Sequence, residues 1–245
     1  WAFQESRRYS ILPLDDNNVE VCMISFIGGT GPEGKGLALR FAIAGERVFI
    51  GSREQNRGMA AAGEVQKLLP AGLPKDTIRG GANEEAATLG DPHLGDATFI
   101  TVPYAAHKDT LSALATLLRG KVVVDVVVPL VFEKGRAIAT IVDGGSVAEE
   151  ASQILPNSKI VSAFQNISAS HLMIPDQSLD CDVIVCSNEE SAKNRIMSLS
   201  KMILGVRPVD GGGLPNSRYV EDLTALLLNI NRIYKANSSI RITGI

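Results

Sequence analysis

The stretch 21-VCMISFIGGTGPEGKGLALRFAIAGERVFIGSREQNR-57 decides the fold. Val21 to Ile27 is an apolar run that reads as a strand and ends in glycines. Gly29-Thr-Gly31-Pro-Glu-Gly34 then fits G-x-G-x-x-G, Lys35 to Ala44 has helical apolar spacing, and Arg47 to Ile50 is a second short strand. Glycines at those positions suit a tight turn, close approach of a pyrophosphate, and packing of helix on strand. The helix N-terminus then stabilises the negative charge. The segment Gly29 to Lys35 also fits the first part of a P-loop, G-x-x-x-x-G-K. Gly36 stands where that loop needs Ser or Thr to bind magnesium, and no later segment clearly supplies a Walker-B partner. A dinucleotide is therefore expected, ahead of a nucleoside triphosphate or a glycine turn with no ligand.

The end of the second strand distinguishes the two common dinucleotides. An NAD site wants a carboxylate there to accept from the ribose 2′-OH. Glu54 is close, but Ser52 and Arg53 occupy the strand end and Arg57 lies one helical turn on. A 2′-phosphate needs donors and positive charge, which guanidinium groups supply through a bidentate fork. Glu54 then reads as an acid in the first turn of the second helix, complementing its dipole. The expectation is NADP.

Working outward, strand and helix alternate. Glu54 to Leu69 is Ala-rich and helical, Ala97 to Val102 is a strand, and Tyr104 to Leu118 is a helix. Lys121 to Val128 is a valine run, as expected for a strand covered on both faces. Asp125 interrupts it, either at a strand end near a site or as ordinary loop polarity. Ser146-Val-Ala-Glu149 is a capping-box signature opening a helix to about Leu155, and Lys159 to Ala163 is a further strand. After Phe164 the rhythm changes. Asp182 to Cys186 and Val206 to Val209 read as strands around a helix from Glu189 to Leu204. A last helix from about Asn216 carries Val220, Leu223, Leu227, Ile230 and Tyr234 on one face, as lobe core or dimer interface. The fold class expected is α/β: a doubly wound parallel sheet of Rossmann type with a smaller C-terminal α+β lobe. The divisions are 1–20 as an N-terminal extension, 21–164 as the NADP-binding domain, and 165–245 as the lobe.

The composition narrows the partners. The chain has 245 residues, 45% apolar and 21% charged, enough for a substantial core. A formal charge of -3 and 5% aromatics argue against nucleic acid or an anionic membrane as partner. No apolar run reaches the length of a bilayer span, and the first twenty residues lack a signal-peptide pattern. Cys22, Cys181 and Cys186 have neither disulfide nor metal spacing, which suits buried inert thiols in a reducing cytoplasm and no metal site. His93, His107 and His171 belong to no catalytic motif and read as surface or packing residues.

The segments IGGTGPEGKGLALRFAIAGERVFIGSRE, ITVPY, VVVDVVVPL, KIVSAFQNISA and GGGLPNSRYVEDLTALLLNI together resemble the NADPH-dependent reductases of coenzyme F420. The resemblance runs from about Val21 to near the C-terminus. It implies a Rossmann domain plus a small lobe, commonly a homodimer, with the deazaflavin bound between the lobes. It further implies that Thr30, Gly31, Pro32 and Glu33 line the NADP pyrophosphate, and that Ser52, Arg53 and Arg57 hold the 2′-phosphate. Val102, Pro103, Tyr104, Val128 and Pro129 would border the dinucleotide. Gln165, Asn166, Ile167 and Ala169 would sit where nicotinamide meets deazaflavin. Family patterns can carry His where this chain has Gln165; Gln can donate to a deazaflavin carbonyl but does not titrate near neutral pH. Ser168, Ala169 and Ser170 suit close approach of a flat ring or a tight helix start. Asn216 or Ser217 is expected to cap the last helix, and Arg218 is either helix-surface charge or a phosphate ligand.

The implied activity is reversible hydride transfer between NADP(H) and F420. Direct exchange between two bound rings needs no catalytic acid or base, so no catalytic residue is assigned. The alternatives are an NADPH-dependent reductase of another flavin-like, carbonyl or imine acceptor, and a non-catalytic NADP-binding module. The membrane metalloreductases contain a similar nucleotide domain.

Overall fold

The computed structural model describes residues 23–89 and 96–245. The extension, Cys22 and His93 lie outside them. Strand β1 (Ile24–Ile27) leads through the glycine loop into helix α1 (Pro32–Ile43), and β2 (Val48–Ser52) leads into α2 (Gln55–Gln66). Next come β3 (Ile78–Ala82), α3 (Asn83–Thr88), β4 (Thr98–Ile100), α4 (Tyr104–Leu114) and β5 (Val122–Asp125). A hairpin of β6 (Leu130–Glu133) and β7 (Arg136–Ala139) precedes α5 (Val147–Ile154) and β8 (Lys159–Ser162). The remainder is α6 (Ala169–Leu172), β9 (Cys181–Val185), α7 (Glu190–Ser200), β10 (Val206–Asp210), a 3-10 turn (Leu214–Asn216) and α8 (Ser217–Tyr234).

Six of these strands form an all-parallel sheet in the order β3-β2-β1-β4-β5-β8, the doubly wound order expected of alternating strands and helices. Side chains alternate faces along each strand, and the burial follows that period of two. Ile24, Phe26, Val48, Ile50, Phe99, Val122 and Val124 join one core with α1, β9 and α7. Ile27, Phe49, Ile100 and Val123 join the other with α3, α4 and α5. β1, β2, β4 and β5 are therefore covered on both faces, which is why they read as apolar runs, whereas the edge strand β3 is not.

The C-terminal part docks on the first of these faces. Phe164 packs edge-on to Phe41 at 6.0 Å between ring centroids, and Phe41 and Phe99 are 5.4 Å apart. Phe164 is fully buried with φ +74, a conformation that costs a bulky residue about 1–3 kcal/mol. It turns the chain sharply after β8, so that Gln165 and Asn166 follow at the carboxyl end of the sheet. Antiparallel bonds between Ser162 and Cys186, both 2.9 Å, join β8 to the parallel β9–β10 pair.

Several expected elements shift. The valine strand stops at Asp125 rather than Val128, and the hairpin that follows closes through Lys134 and Gly135, both at positive φ. β3 went unread because Gly80 and Gly81 look like a loop. Gly80 lets α2 lie on the strand, because the carbonyl of Gly58 would strike any side chain there, while a side chain at Gly81 would meet the Glu85 carboxylate and the Phe49 ring. The Ser146 cap forms as expected, its Oγ accepting from Glu149 N at 3.1 Å; the Glu149 carboxylate accepts from that hydroxyl at 2.9 Å. Capping of α8 does not. Asn216 Nδ2 donates instead to Gly211 O and Ser217 Oγ to Leu214 O. On α8, Val220 and Leu227 are buried but Tyr234 is exposed. Glu54 sits at the N-cap of α2 rather than in its first turn and makes no side-chain cap bond. Among the described residues no helix is long and apolar enough to cross a membrane.

Candidate functional site

The carboxyl ends of β1 and β4 mark the point where strand order reverses, and the crevice there is the general ligand site of such sheets. Gly28 has φ +73 and lies against Val102, so a side chain would fit neither the backbone nor the space. A Cβ on Gly34 would lie 2.6 Å from Gly29 Cα, which explains the third glycine as the contact of α1 with the loop. Gly31 has open space on its side-chain face and is the N-cap of α1, with no side chain satisfying the first helical N–H groups. These free donors and the helix dipole make a seat for an anion. The position that excluded a P-loop, Gly36, is filled by packing: a Cβ there would lie 2.5 Å from Leu172 Cβ.

Two adjacent cavities occupy the crevice. The outer one, about 480 Å³, is lined by Thr30, Gly31, Pro32, Glu33, Ser52, Arg53, Arg57, Val102 and Pro103. The inner one, about 410 Å³, is lined by Glu33, Val102, Pro103, Tyr104, Val128, Gln165, Asn166, Ile167 and Ala169. Glu33, Thr101, Val102 and Pro103 face both. The crevice thus gathers the sequence-named residues from both halves of the chain, with one exception. Pro129 lines a separate cavity of about 210 Å³ with Arg218, Glu221 and Asp222. Past Arg53 and Asn83 the outer cavity continues into another of about 400 Å³.

The charge pattern is polarised along the crevice. Arg53 and Arg57 are exposed and pair with no acid among the described residues, so both guanidinium groups are available to an incoming anion. Ser52, beside them, is buried. At the junction Glu33 is half-buried, but its Oε1 is enclosed without a partner, and burial pushes its carboxyl up to about 8. The sign for stability follows. Only the unfolded chain ionises this group between its ordinary 4.5 and about 8, so its burial destabilises the fold progressively as pH rises through that window. Glu33→Gln is expected to melt about 4 °C or more above the unmodified protein at pH 8, and no higher at pH 4.5. Thermal melts across that range check it; a constant difference at all pH values would contradict it.

Around the inner cavity the polar groups are held from behind. Gln165 Nε2 donates to Asp125 O at 2.9 Å and Ser162 Oγ at 2.8 Å, and Thr224 Oγ1 on α8 donates to Gln165 O at 2.8 Å. The nitrogen expected to serve a ligand carbonyl is thus already engaged. Asp125 and His107 form a buried pair at 2.7 Å, and Val127 N donates to the same carboxylate at 3.0 Å. Burial pulls His107 toward its neutral form, but Asp125 outweighs this and leaves the imidazole more basic than usual. His107 is therefore a packing residue, and Asp125 a strand-end buttress rather than loop polarity. Glu221 on α8 accepts from Val147 N and Ala148 N at the start of α5; burial nevertheless raises it to about 7. Ser168 caps the short α6, as the helix-start reading expects, and also lines the cavity. Arg218 is a surface charge lying 5.6 Å from the Tyr219 ring centroid. Cys181 and Cys186 are buried, and burial pushes both thiols to about 11.

Asn83 escaped the sequence reading. Its Oδ1 accepts from Gly28 N at 3.0 Å, fixing the glycine loop, and it lines the outer cavity. Thr224 and Asn231 escaped too, although their spacing with Leu227 and Leu228 puts them on one helix stripe facing the inner cavity.

A family model described as NADP oxidoreductase, coenzyme F420-dependent, matches residues 23–129. The F420-dependent NADP reductase of Methanothermobacter thermautotrophicus is 39% identical over 232 residues, covering 93% of this chain and 97% of the relative. That of Methanocaldococcus jannaschii is 38% identical over 226 residues, 91% and 98% of the two chains. A crystal structure from Arthrobacter sp. FB24 aligns with a TM-score of 0.75 at 24% identity, over 91% of this chain and 100% of the other, a likeness of fold. On the near-full-length identity, the chain belongs to the family of F420-dependent NADP reductases.

Proposed function

We propose that this protein catalyses reversible hydride transfer between NADP(H) and the deazaflavin coenzyme F420. The observation that carries the reading is that the dinucleotide crevice adjoins, across Glu33, Thr101, Val102 and Pro103, a second cavity walled by Gln165 to Ala169 and α8. The residues present fit both ligands. A helix N-terminus beside an open Gly31 suits a pyrophosphate, and Arg53 and Arg57, which pair with no acid among the described residues, suit a 2′-phosphate together with Ser52. The extension past Asn83 suits the adenosine. Thr30, Pro32 and Glu33 flank the pyrophosphate; neutral at pH 7, Glu33 adds no opposing charge there.

Val102, Pro103, Tyr104 and Val128 wall the ring region, with Tyr104 Oη anchored on Glu150 at 3.3 Å. Pro129, which lines a separate cavity, is not part of that wall. Gln165, Asn166, Ile167 and Ala169 set the distance and orientation of the two rings. When bound, the two coenzymes supply the redox chemistry. The protein's contribution is proximity and a dry site, and no side chain needs to move a proton. Residues 165–245 form the deazaflavin lobe. The apolar side chains exposed on the hairpin and α8, among them Phe132, Ile138, Leu226 and Ile233, support a homodimer. The buried, unreactive thiols suit a cytoplasmic setting.

The test is turnover. NADPH with oxidised F420 should bleach the deazaflavin absorbance, and free flavins should react far more slowly. Reduction of flavins or imines with none of F420, under conditions where NADPH binds, would replace this reading with the broader reductase. Binding of NADPH without any turnover would leave the non-catalytic module.

A further inference from the structure

The segment after α8 returns to the inner cavity and is held there by a charged junction that lies outside it. Lys235 ends the helix at φ +52, which turns the chain. Asn237 and Ser238 then line the cavity beside Leu227, Leu228 and Asn231 of α8, and Ser238 N donates to Asn231 Oδ1. From there the chain crosses to β9, where Asp182 is fully buried and bonded through all of its polar groups. Its N donates to Ile240 O at 2.8 Å, and its carbonyl accepts from Asn166 Nδ2, on the cavity wall, at 2.7 Å. Its carboxylate accepts from Arg207 Nε and Nη2 at 2.9 and 2.7 Å, Arg241 Nη1 at 2.9 Å and Ile242 N at 2.6 Å. Arg241 Nη2 also donates to Asp180 Oδ1 at 2.6 Å and Gly205 O at 3.0 Å. The Arg207 fork, with Ile242 N and Arg241, holds the Asp182 carboxyl well below the usual carboxylate range in spite of its burial. Residues 235–245 add no fully buried apolar side chain to either core, so these polar bonds are what fasten the segment.

We propose that Asp182 and Arg241 are positioning residues, clasping the segment after α8 to β9 and so keeping Asn237 and Ser238 in place as one wall of the deazaflavin cavity. This rests on the dinucleotide and deazaflavin reading above. Neither side chain lines the cavity; each acts through the segment it holds. The outer cavity, with Arg53, Arg57 and the glycine loop, has no residue from this segment. Loosening the clasp should therefore weaken one ligand and spare the other.

The test is Arg241→Met in the whole protein. Asp182 keeps its Arg207 fork and Asp180 is exposed, so no charge is stranded and the fold should persist. Dissociation constants for NADPH and oxidised F420 are measured by calorimetry, KM for each by turnover, and backbone hydrogen exchange over 236–245 by mass spectrometry. The expected result is faster exchange in that segment, a KM and dissociation constant for F420 raised about tenfold, and NADPH binding unchanged. Arg241→Lys, which keeps the charge, should recover part of the F420 affinity. Unchanged exchange would show that Arg241 does not hold the segment, and faster exchange with unchanged F420 binding would show that the segment does not wall the deazaflavin; either overturns the proposal while the functional reading stands. Equal weakening of both ligands would mark a general loss of structure and overturn it too. If the unmodified protein binds NADPH but not F420, the functional reading falls and the proposal with it.

Discussion

Replacing Arg53 and Arg57 together by Ala is expected to weaken NADPH binding about a hundredfold or more and to leave NADH binding nearly unchanged. A charge-assisted hydrogen bond contributes roughly 1.5–3 kcal/mol, and two forks converging on one phosphate place the loss at the upper end of that scale. Neither arginine pairs with an acid among the described residues, so their removal leaves no charge stranded in the fold. The variant should therefore melt close to the unmodified protein, which separates a binding effect from unfolding. Ser52 would remain as a hydroxyl donor and keep part of the preference. Titration of both dinucleotides checks this; a preference for NADPH that survives the double substitution would take the arginines out of the phosphate site.

Arg40→Met is expected to be the most damaging substitution for the fold itself. Arg40 sits in the last turn of α1, only 3% exposed. Its guanidinium donates to four backbone carbonyls at the end of α6 and just after it. These are His171 O at 2.8 Å, Leu172 O at 2.8 Å, Ile174 O at 2.6 Å and Pro175 O at 3.1 Å. Burial lowers the proton affinity of this group, and the nearby Asp176 partly opposes that. Met fills a similar volume but leaves four acceptors unpaired, a loss of about 3 kcal/mol or more. For a chain of this size that lowers the melting temperature by roughly 6–12 °C. Because α6 follows directly on Gln165 to Ser168, F420 binding should suffer more than binding of the dinucleotide phosphates. A melting temperature within a degree or two of the unmodified protein would show that water replaces the guanidinium without cost.

The parts of the site that were legible in the sequence are those carried by local chemistry. The glycine loop, its helix and the Ser52-Arg53 strand end sit within one βαβ unit, where spacing alone dictates what must be small and what must be charged. The parts that were missed depend on contacts between distant segments. Arg40 reads as an ordinary cation complementing a helix C-terminus until α6 is folded onto it. Asn83, the first residue of α3, was hidden because the strand before it carries Gly80 and Gly81, and glycine in a strand signals a loop unless a helix must approach closely. The pairing of Asp125 with His107 joins a valine strand to a polar helix start, and neither residue has a local reason to be buried. Gln165 was read as a donor to a ligand, and only the folded contacts show that its amide nitrogen is already engaged by the backbone carbonyl of Asp125. Capping of α8 failed for a related reason: a 3-10 turn runs straight into the helix, so Asn216 is already helical and its side chain turns back to Gly211.

Direct ring-to-ring transfer can be tested by isotope in a single turnover. The protein is mixed with oxidised F420 and NADPH deuterated at one face of the nicotinamide C4, then at the other, and the reduced deazaflavin is weighed by mass spectrometry. Transfer within the crevice predicts that one of the two labelled epimers delivers its deuterium to carbon on the deazaflavin and that the label stays there in ordinary water. Reduction of F420 with the deuterium recovered in solvent from both epimers would contradict direct hydride transfer.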